Sequence, residues 1–268
     1  MLPGRVHAGR LLPTADPKRN EMIEIDMRGQ VAVVTGGTKG VGRGIAQRFA
    51  DAGATVVVGA RNPVDDLPAE WTFLQADLRD AEAASAFIDQ AVERHRRIDT
   101  LVNNAGGSPP ADSATAPARF TQRILDLNLL SAIYTAQRAN HHMQAGEGGA
   151  IVNVNSVVAI RPAPTTAAYG AAKAGLASFT ATVGQEWAPK VRVNGVICGM
   201  VRTEQADLFY GDAEGIARVE SGIPIGRLAL PGDIGDACVF LASPMASYIS
   251  GTNLVVHGGG DRPPFLDA

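Results

Sequence analysis

Val31-Ala32-Val33-Val34-Thr35-Gly36-Gly37-Thr38-Lys39-Gly40-Val41-Gly42 runs from an apolar stretch into a glycine-rich turn, and the turn opens a segment with helical spacing. Val31–Thr35 is β-branched and apolar throughout, which suits a strand covered on both faces. After the turn, Val41, Ile45 and Phe49 share one face of a helix over residues 40–52. Glycines between a strand and a helix let the backbone approach a pyrophosphate closely, and the helix N-terminus favours its negative charge. The glycines at 36, 40 and 42 do not follow the G-x-G-x-x-G spacing, and no Gly-Lys-Ser/Thr closes the loop, so it is not a P-loop.

Outward from this stretch the pattern alternates. Thr55–Ala60, 71–76, Thr100–Asn103, 150–155, 191–197 and Asn253–Val256 read as strands. Helical spacing covers 81–96, 120–143, 166–187 and 233–242, with Ile124, Leu127, Ser131 and Tyr134 along one face of the second of these. Strands that are apolar throughout, alternating with helices, predict an α/β Rossmann-type fold. Its doubly wound parallel sheet, of about seven strands, would be flanked by helices on both faces in a single domain over residues 27–268. Residues 203–230 break the alternation with Gly211, Gly215, Gly222, Pro224 and Gly226. An insertion after a late strand lies over the carboxyl edge of the sheet, where a substrate lid would sit. Residues 1–26 hold Pro3, Pro13 and Pro17 among scattered Arg and Lys. They have no apolar core like that of a signal peptide and read as a disordered arm, or as an over-extended start with Met22 or Met27 the natural beginning.

The chain has 268 residues, 46% hydrophobic and 19% charged, which is ample for a sizeable core. A formal net charge of −3 gives no basic excess that would call for nucleic acid or an anionic membrane. No apolar run approaches the ~18 residues of a membrane helix. Cys198 and Cys238 sit in apolar surroundings and look like buried thiols of a reducing compartment, so the expected location is cytoplasmic.

Ala168-Tyr169-Gly170-Ala171-Ala172-Lys173 places a phenol and an ammonium four residues apart, on one face of a helix. A free phenol has a pKa of about 10, too high for proton transfer near neutrality, and a neighbouring cation lowers it. Tyr169 with Lys173 therefore reads as a tuned acid/base, and Ser156 upstream as a hydroxyl able to hold a substrate oxygen. The pair alone also arises by chance on many helices. In a dinucleotide fold an acid at the end of the second strand accepts from the 2′-hydroxyl of NAD, whereas an Arg accommodates the 2′-phosphate of NADP. Here that strand ends Gly59-Ala60-Arg61-Asn62, and Lys39 adds a second cation from the glycine loop, so NADP(H) is favoured and NAD(H) is the alternative.

Taken in order, Thr35 to Gly42, Asn103-Asn104-Ala105-Gly106, Ser156 and Tyr169-x-x-x-Lys173 resemble the short-chain dehydrogenase/reductase family in its one-domain form, from Met27 to about Gly260. The resemblance implies an NAD(P)(H)-dependent oxidoreductase interconverting a secondary alcohol and a ketone, and a homo-oligomer, tetramer or dimer. It implies that Tyr169 is the proton donor and acceptor, that Lys173 lowers its pKa and meets the nicotinamide ribose, and that Ser156 orients the substrate oxygen. Asn128 would hold a water of a proton relay. Gly36, Thr38, Lys39, Gly40, Val41, Gly42 and Arg61 would meet the phosphates and the adenosine end. Asp77 and Leu78 would lie beside the adenine, Asn104, Ala105 and Gly106 along the adenosine ribose, and Val201 and Thr203 at the nicotinamide side.

Two positions depart from the family pattern. Cys198-Gly199 stands where Pro-Gly is usual, so the constraint on φ is lost there. His257 stands where an acid usually precedes Gly-Gly, and a lone His beside glycines reads as a surface or interface residue. His141 and His142 are adjacent, which points their rings apart, and no ligand set at zinc spacing surrounds them, so no metal is assigned. The apolar residues Leu208, Phe209, Tyr210, Ile216, Val219, Ile223 and Ile225 suggest a lipophilic ketone, such as a 3-oxoacyl thioester or a steroid. Arg161 and Arg202 could meet a phosphate or carboxylate, but facing solvent is the preferred reading. The alternative is a non-catalytic NADP-binding sensor or partner subunit, which would be free to lose Tyr169, Lys173 or Ser156. An epimerase or dehydratase would usually need a larger C-terminal domain than this length allows.

Overall fold

A computed structural model describes residues 25–262, apart from the side chain of Phe209. Seven parallel strands form one sheet in the order β3-β2-β1-β4-β5-β6-β7. They are β1 Val31–Thr35, β2 Thr55–Ala60, β3 Thr72–Gln75, β4 Thr100–Asn103, β5 Gly149–Ser156, β6 Val191–Cys198 and β7 Asn253–Val256. The order reverses between β1 and β4, and the crevice of a doubly wound sheet opens at the carboxyl ends of strands at such a reversal.

Alternate strand residues feed two cores. Val34, Val102, Val152 and Val196 pack with Ile45 and Phe49 of α1 (Gly40–Asp51) and Ile234 and Leu241 of α8 (Pro231–Ala242). Val33, Leu101, Ile151 and Val193 face the other way, onto α2 (Ala81–His95), α4 (Ser131–Ala145) and α5 (Ala167–Glu186). That two-sided demand is why the strands lack polar alternation. α1 and α8 approach so closely that a Cβ added at Gly44 would lie 2.3 Å from the Pro231 side chain.

Several elements differ from the sequence reading. The helix expected over 120–143 is α3 (Ala118–Leu125), a π turn over Asp126–Leu130, and then α4. A π turn takes in one extra residue and rotates the helix beyond it. The buried stripe runs through Ile124, Asn128, Ser131, Ala132, Thr135, Ala139 and Met143, and Tyr134, partly buried, packs against the second core beside it. Residues 203–230 contain two short helices, α6 (Ala206–Tyr210) and α7 (Ala213–Ser221), and Val201 bridges to Ala229 beneath them. The rings of His141 and His142 are not apart: their centroids are 5.4 Å from each other, edge to face. Of the segment 1–26, the first twenty-four residues lie outside the described region, while Ile25 packs against the first core.

Candidate active site

β5 ends at Ser156, whose hydroxyl accepts from the Val158 amide at 3.4 Å as the chain turns into the short 3-10 helix Val157–Ala159. Two strands' ends meet there, with Ser156 paired to Cys198 in the β5–β6 register. Tyr169 and Lys173 lie one turn apart on α5, with the ammonium 5.8 Å from the phenol ring centroid. Lys173 is 3% exposed and donates to the Val154 carbonyl at 2.7 Å, which aims it at the end of β5.

The electrostatics run opposite to the expectation that the lysine makes the phenol acidic. Burial pushes the Tyr169 hydroxyl up to about 12, while the facing Ser156 hydroxyl pulls it the other way. Burial also pushes the Lys173 ammonium down to about 8. Removing a phenolate from water disfavours it. A single ammonium, itself committed to a backbone carbonyl, does not offset that cost. Cys198 is a further neighbour: burial holds its thiol up to about 12 against the pull of Lys173.

Asn128 sits in the π turn, 1% exposed. Its Oδ1 accepts from the Gly107 amide at 2.7 Å, and its Nδ2 donates to the carbonyls of Gly107 at 3.0 Å and Ile124 at 2.9 Å. The side chain therefore clasps the loop after β4. Both amide hydrogens are committed, so its remaining capacity toward a water is as an acceptor. Gly106 lies between: a Cβ there would stand 2.7 Å from the Asn128 Oδ1 and 3.5 Å from the Lys173 Nζ.

The glycine loop is built around close approaches. Gly36 and Gly40 have φ of 65° and 54°, the left-handed region that glycine tolerates. A Cβ at Gly42 would lie 2.2 Å from the Gly36 carbonyl oxygen and 2.4 Å from the Asn104 Nδ2. The Thr35 hydroxyl accepts from the amides of Asn104 and Ala105, tying the ends of β1 and β4 together at 2.9 and 3.0 Å. The loop so held presents the α1 N-terminus, capped by no side chain, to the crevice.

One cavity of about 750 Å³ is lined by every predicted site residue except Asn128, which lies behind it. Lys39 and Arg61 are exposed at its β1–β2 end. Asp77 shares that end, but its carboxylate is paired with Arg79 and held below the usual range by that guanidinium. At the other end, Val157, Val158, Met200, Val201 and Tyr210 surround Ser156 and Tyr169. The lid residues behave differently from the expectation of an apolar substrate wall. Ile216 and Ile223 form a small core with Leu228, backed by Val219, so they hold the lid together. Leu208 and Ile225 face solvent, 80% and 63% exposed. Arg161 pairs with Asp261 at 3.0 Å at the cavity's edge. Sequence reasoning did not single out Gly107, Val154 or Arg79, whose roles rest on backbone groups or on a partner two residues away. His142 is engaged by Asp89 at 2.7 Å. Among the described residues no three His, Cys, Asp or Glu side chains converge as a metal site would require.

The residues fit a nicotinamide dinucleotide. The cavity has the volume for a large ligand. A glycine cradle that a Cβ at position 42 would fill and an uncapped helix N-terminus line one side of it, and two exposed cations stand at its β1–β2 end. The family described as enoyl-(acyl carrier protein) reductase matches residues 36–260. The 3beta-hydroxysteroid dehydrogenase 1 of Eggerthella lenta is 35% identical over 246 residues, covering 87% of this chain and 94% of that protein. The 2-dehydro-3-deoxy-D-gluconate 5-dehydrogenase of Escherichia coli is 33% identical over 242 residues, 87% of this chain and 96% of the other. Among solved structures, a 7 alpha-hydroxysteroid dehydrogenase complexed with NADH and 7-oxo glycochenodeoxycholic acid superposes with a TM-score of 0.82 at 31% identity, covering 89% of this chain and 96% of that one. With a family match that runs from the glycine loop through the helix of Tyr169 and Lys173 to residue 260, and relatives matched over most of their length, the chain belongs to the short-chain dehydrogenase/reductase family of oxidoreductases.

Proposed function

We propose that this protein is an NADP(H)-preferring oxidoreductase that interconverts a secondary alcohol and a ketone, with Tyr169, Lys173, Ser156 and Asn128 as its catalytic machinery. The observation that carries this reading is the meeting of Ser156, Tyr169 and Lys173 at one end of a cavity whose other end is a glycine cradle with Lys39 and Arg61. The two cations, with Asp77 already paired to Arg79, favour a 2′-phosphate over a 2′-hydroxyl.

When bound, the nicotinamide supplies the hydride. In the reductive direction Ser156 donates a hydrogen bond to the substrate oxygen as negative charge develops on it, and Tyr169 gives that oxygen its proton. The Lys173 ammonium favours the phenolate that remains. Asn128 fixes the loop of Gly106 and Gly107 against Lys173 and accepts from a water there. The apolar wall of Val157, Val158, Met200 and Tyr210 excludes water and suits a lipophilic ketone. Residues 203–230 act as the lid.

The protein works in the cytoplasm, consistent with two buried free thiols and with the absence, among the described residues, of any helix long and apolar enough to cross a membrane. It assembles as a homo-oligomer through the β7 side, where Leu254, Val255, Met245 and Tyr248 are exposed beside a strand edge that no other described strand pairs with.

The test is NADPH oxidation at 340 nm with a panel of lipophilic ketones. Wild type turns over at least one member. Tyr169→Phe loses about 10³-fold or more in kcat while NADPH still binds. Substantial turnover by that variant would remove Tyr169 from the chemistry. NADPH binding without turnover of any ketone would favour the sensor reading.

A further inference from the structure

Asn155, the residue before Ser156, and Asn253, the first residue of β7, stand on strands that flank β6. Their side chains meet over it. The Asn155 Nδ2 donates to the Asn253 Oδ1 at 2.9 Å, and the Asn253 Nδ2 donates to the Ala177 carbonyl at 3.1 Å. The crossing is possible because the β6 residue beneath it is Gly195. A Cβ there would lie 2.1 Å from the Asn253 Oδ1 and 3.1 Å from the Asn155 Nδ2. Ala177 is on α5, one turn beyond Lys173. The strand that ends in Ser156 is thus joined, through two amides, to the helix that carries Tyr169.

We propose that the Asn155–Asn253 bridge is a positioning device: it fixes the axial register of α5 against β5 and so sets the separation of Ser156 from Tyr169. The inference rests on the function proposed above. α5 is rich in Ala and Gly, and its buried face mixes Ala172 and Gly184 with Leu176, Thr180 and Val183. Apolar contacts from so few large side chains tolerate a small axial slide, whereas hydrogen bonds are directional, so the bonds to α5 refine its register. Asn153 gives a second tie, to the Thr180 hydroxyl at 2.9 Å, and Lys173 a third, to the Val154 carbonyl at 2.7 Å. Those ties remain when the bridge is removed, so α5 stays attached and only its alignment loosens.

The groups that face Tyr169 are Ser156 from β5, Lys173 on its own helix, Cys198 from β6 and Tyr210 from α6. Ser156 is the one that holds the phenol down. Loosening it moves the phenol upward. In alcohol oxidation Tyr169 must be deprotonated, so the acid limb of kcat/KM moves to higher pH. A variant that is merely less stable loses activity without moving that limb.

The experiment compares wild type, Asn155→Ser, Asn253→Leu and the double variant. The serine hydroxyl is too short to span β6, and it is a mild change in a buried site. Expected in alcohol oxidation are a fall in kcat of about 10- to 100-fold, an unchanged KM for NADP+, and an upward shift of the acid limb. The double variant loses no more than the worse single one, because each single change already opens the bridge. An unchanged kcat and an unmoved limb in folded Asn155→Ser overturn the proposal, as do losses that multiply in the double variant. A wild type that reduces no ketone defeats the functional reading alone. The crystal structure of Asn155→Ser then decides the bridge, by whether α5 shifts and the Ser156–Tyr169 separation lengthens or both stay as they are.

Discussion

Lys173 holds an ammonium at 3% exposure with a single backbone acceptor, and burial brings it down to about 8 from 10.5. Between those two values the unfolded chain binds a proton that the folded chain has released, so the folded state gains stability as pH rises through the window. Below it, the buried charge is a standing cost. Lys173→Met is expected to raise the unfolding free energy by about 1–3 kcal/mol near neutrality, net of the bond lost to Val154. Urea titrations should show the gain shrinking as pH approaches 10.5, while ketone reduction is lost throughout. Arg61 makes the second residue-scale prediction. Arg61→Asp should move the ratio of kcat/KM for NADPH over NADH by at least about tenfold toward NADH, one charge-assisted contact being worth roughly 1.5–3 kcal/mol. The spacing of Tyr169 and Lys173 was legible because a helix converts four residues into one face. The direction in which Tyr169 shifts was not, because sequence spacing carries charge and leaves out burial.

At the scale of elements, the glycine loop is a contact between backbones. Gly42→Ala would force its methyl against the Gly36 carbonyl and the Asn104 amide. Overpacking of this kind costs about 1–3 kcal/mol and would distort the loop. A lower melting temperature and an NADPH affinity weakened at least about tenfold by fluorescence titration are expected, and wild-type affinity would show that the loop yields. The strands were readable residue by residue where apolar runs end at glycine, as in Val31–Thr35 and Thr55–Ala60. The π turn was hidden. One inserted residue leaves the local apolar spacing of α3 intact and rotates only α4, so the most buried line there passes through Thr135 and Ala139, which that spacing does not single out, while Tyr134 packs at its margin. The two lid helices escaped because each is short and flanked by glycine, and Ile216 and Ile223 pack on Leu228 from a distance in sequence that periodicity does not sample.

Across the whole molecule, the strand order and the all-parallel register put the cavity at the carboxyl edge of the sheet, with α5 and α6 adding Tyr169, Lys173 and Tyr210 to its wall. The loops at the opposite rim, such as the exposed Glu147 between α4 and β5, have no part in it. Both native thiols are buried, so a cysteine introduced on the surface is the preferred point of attachment for a maleimide dye. A fluorophore on Glu147→Cys should be blind to NADPH, whereas one on Gln205→Cys, beside the cavity, should change its emission on binding. Equal responses from both would mean that the nucleotide reorganises the sheet as a whole. If the two labels differ as expected, the molecule has a blunt back by which it can be tethered to an electrode or a bead, leaving its open rim facing the solution.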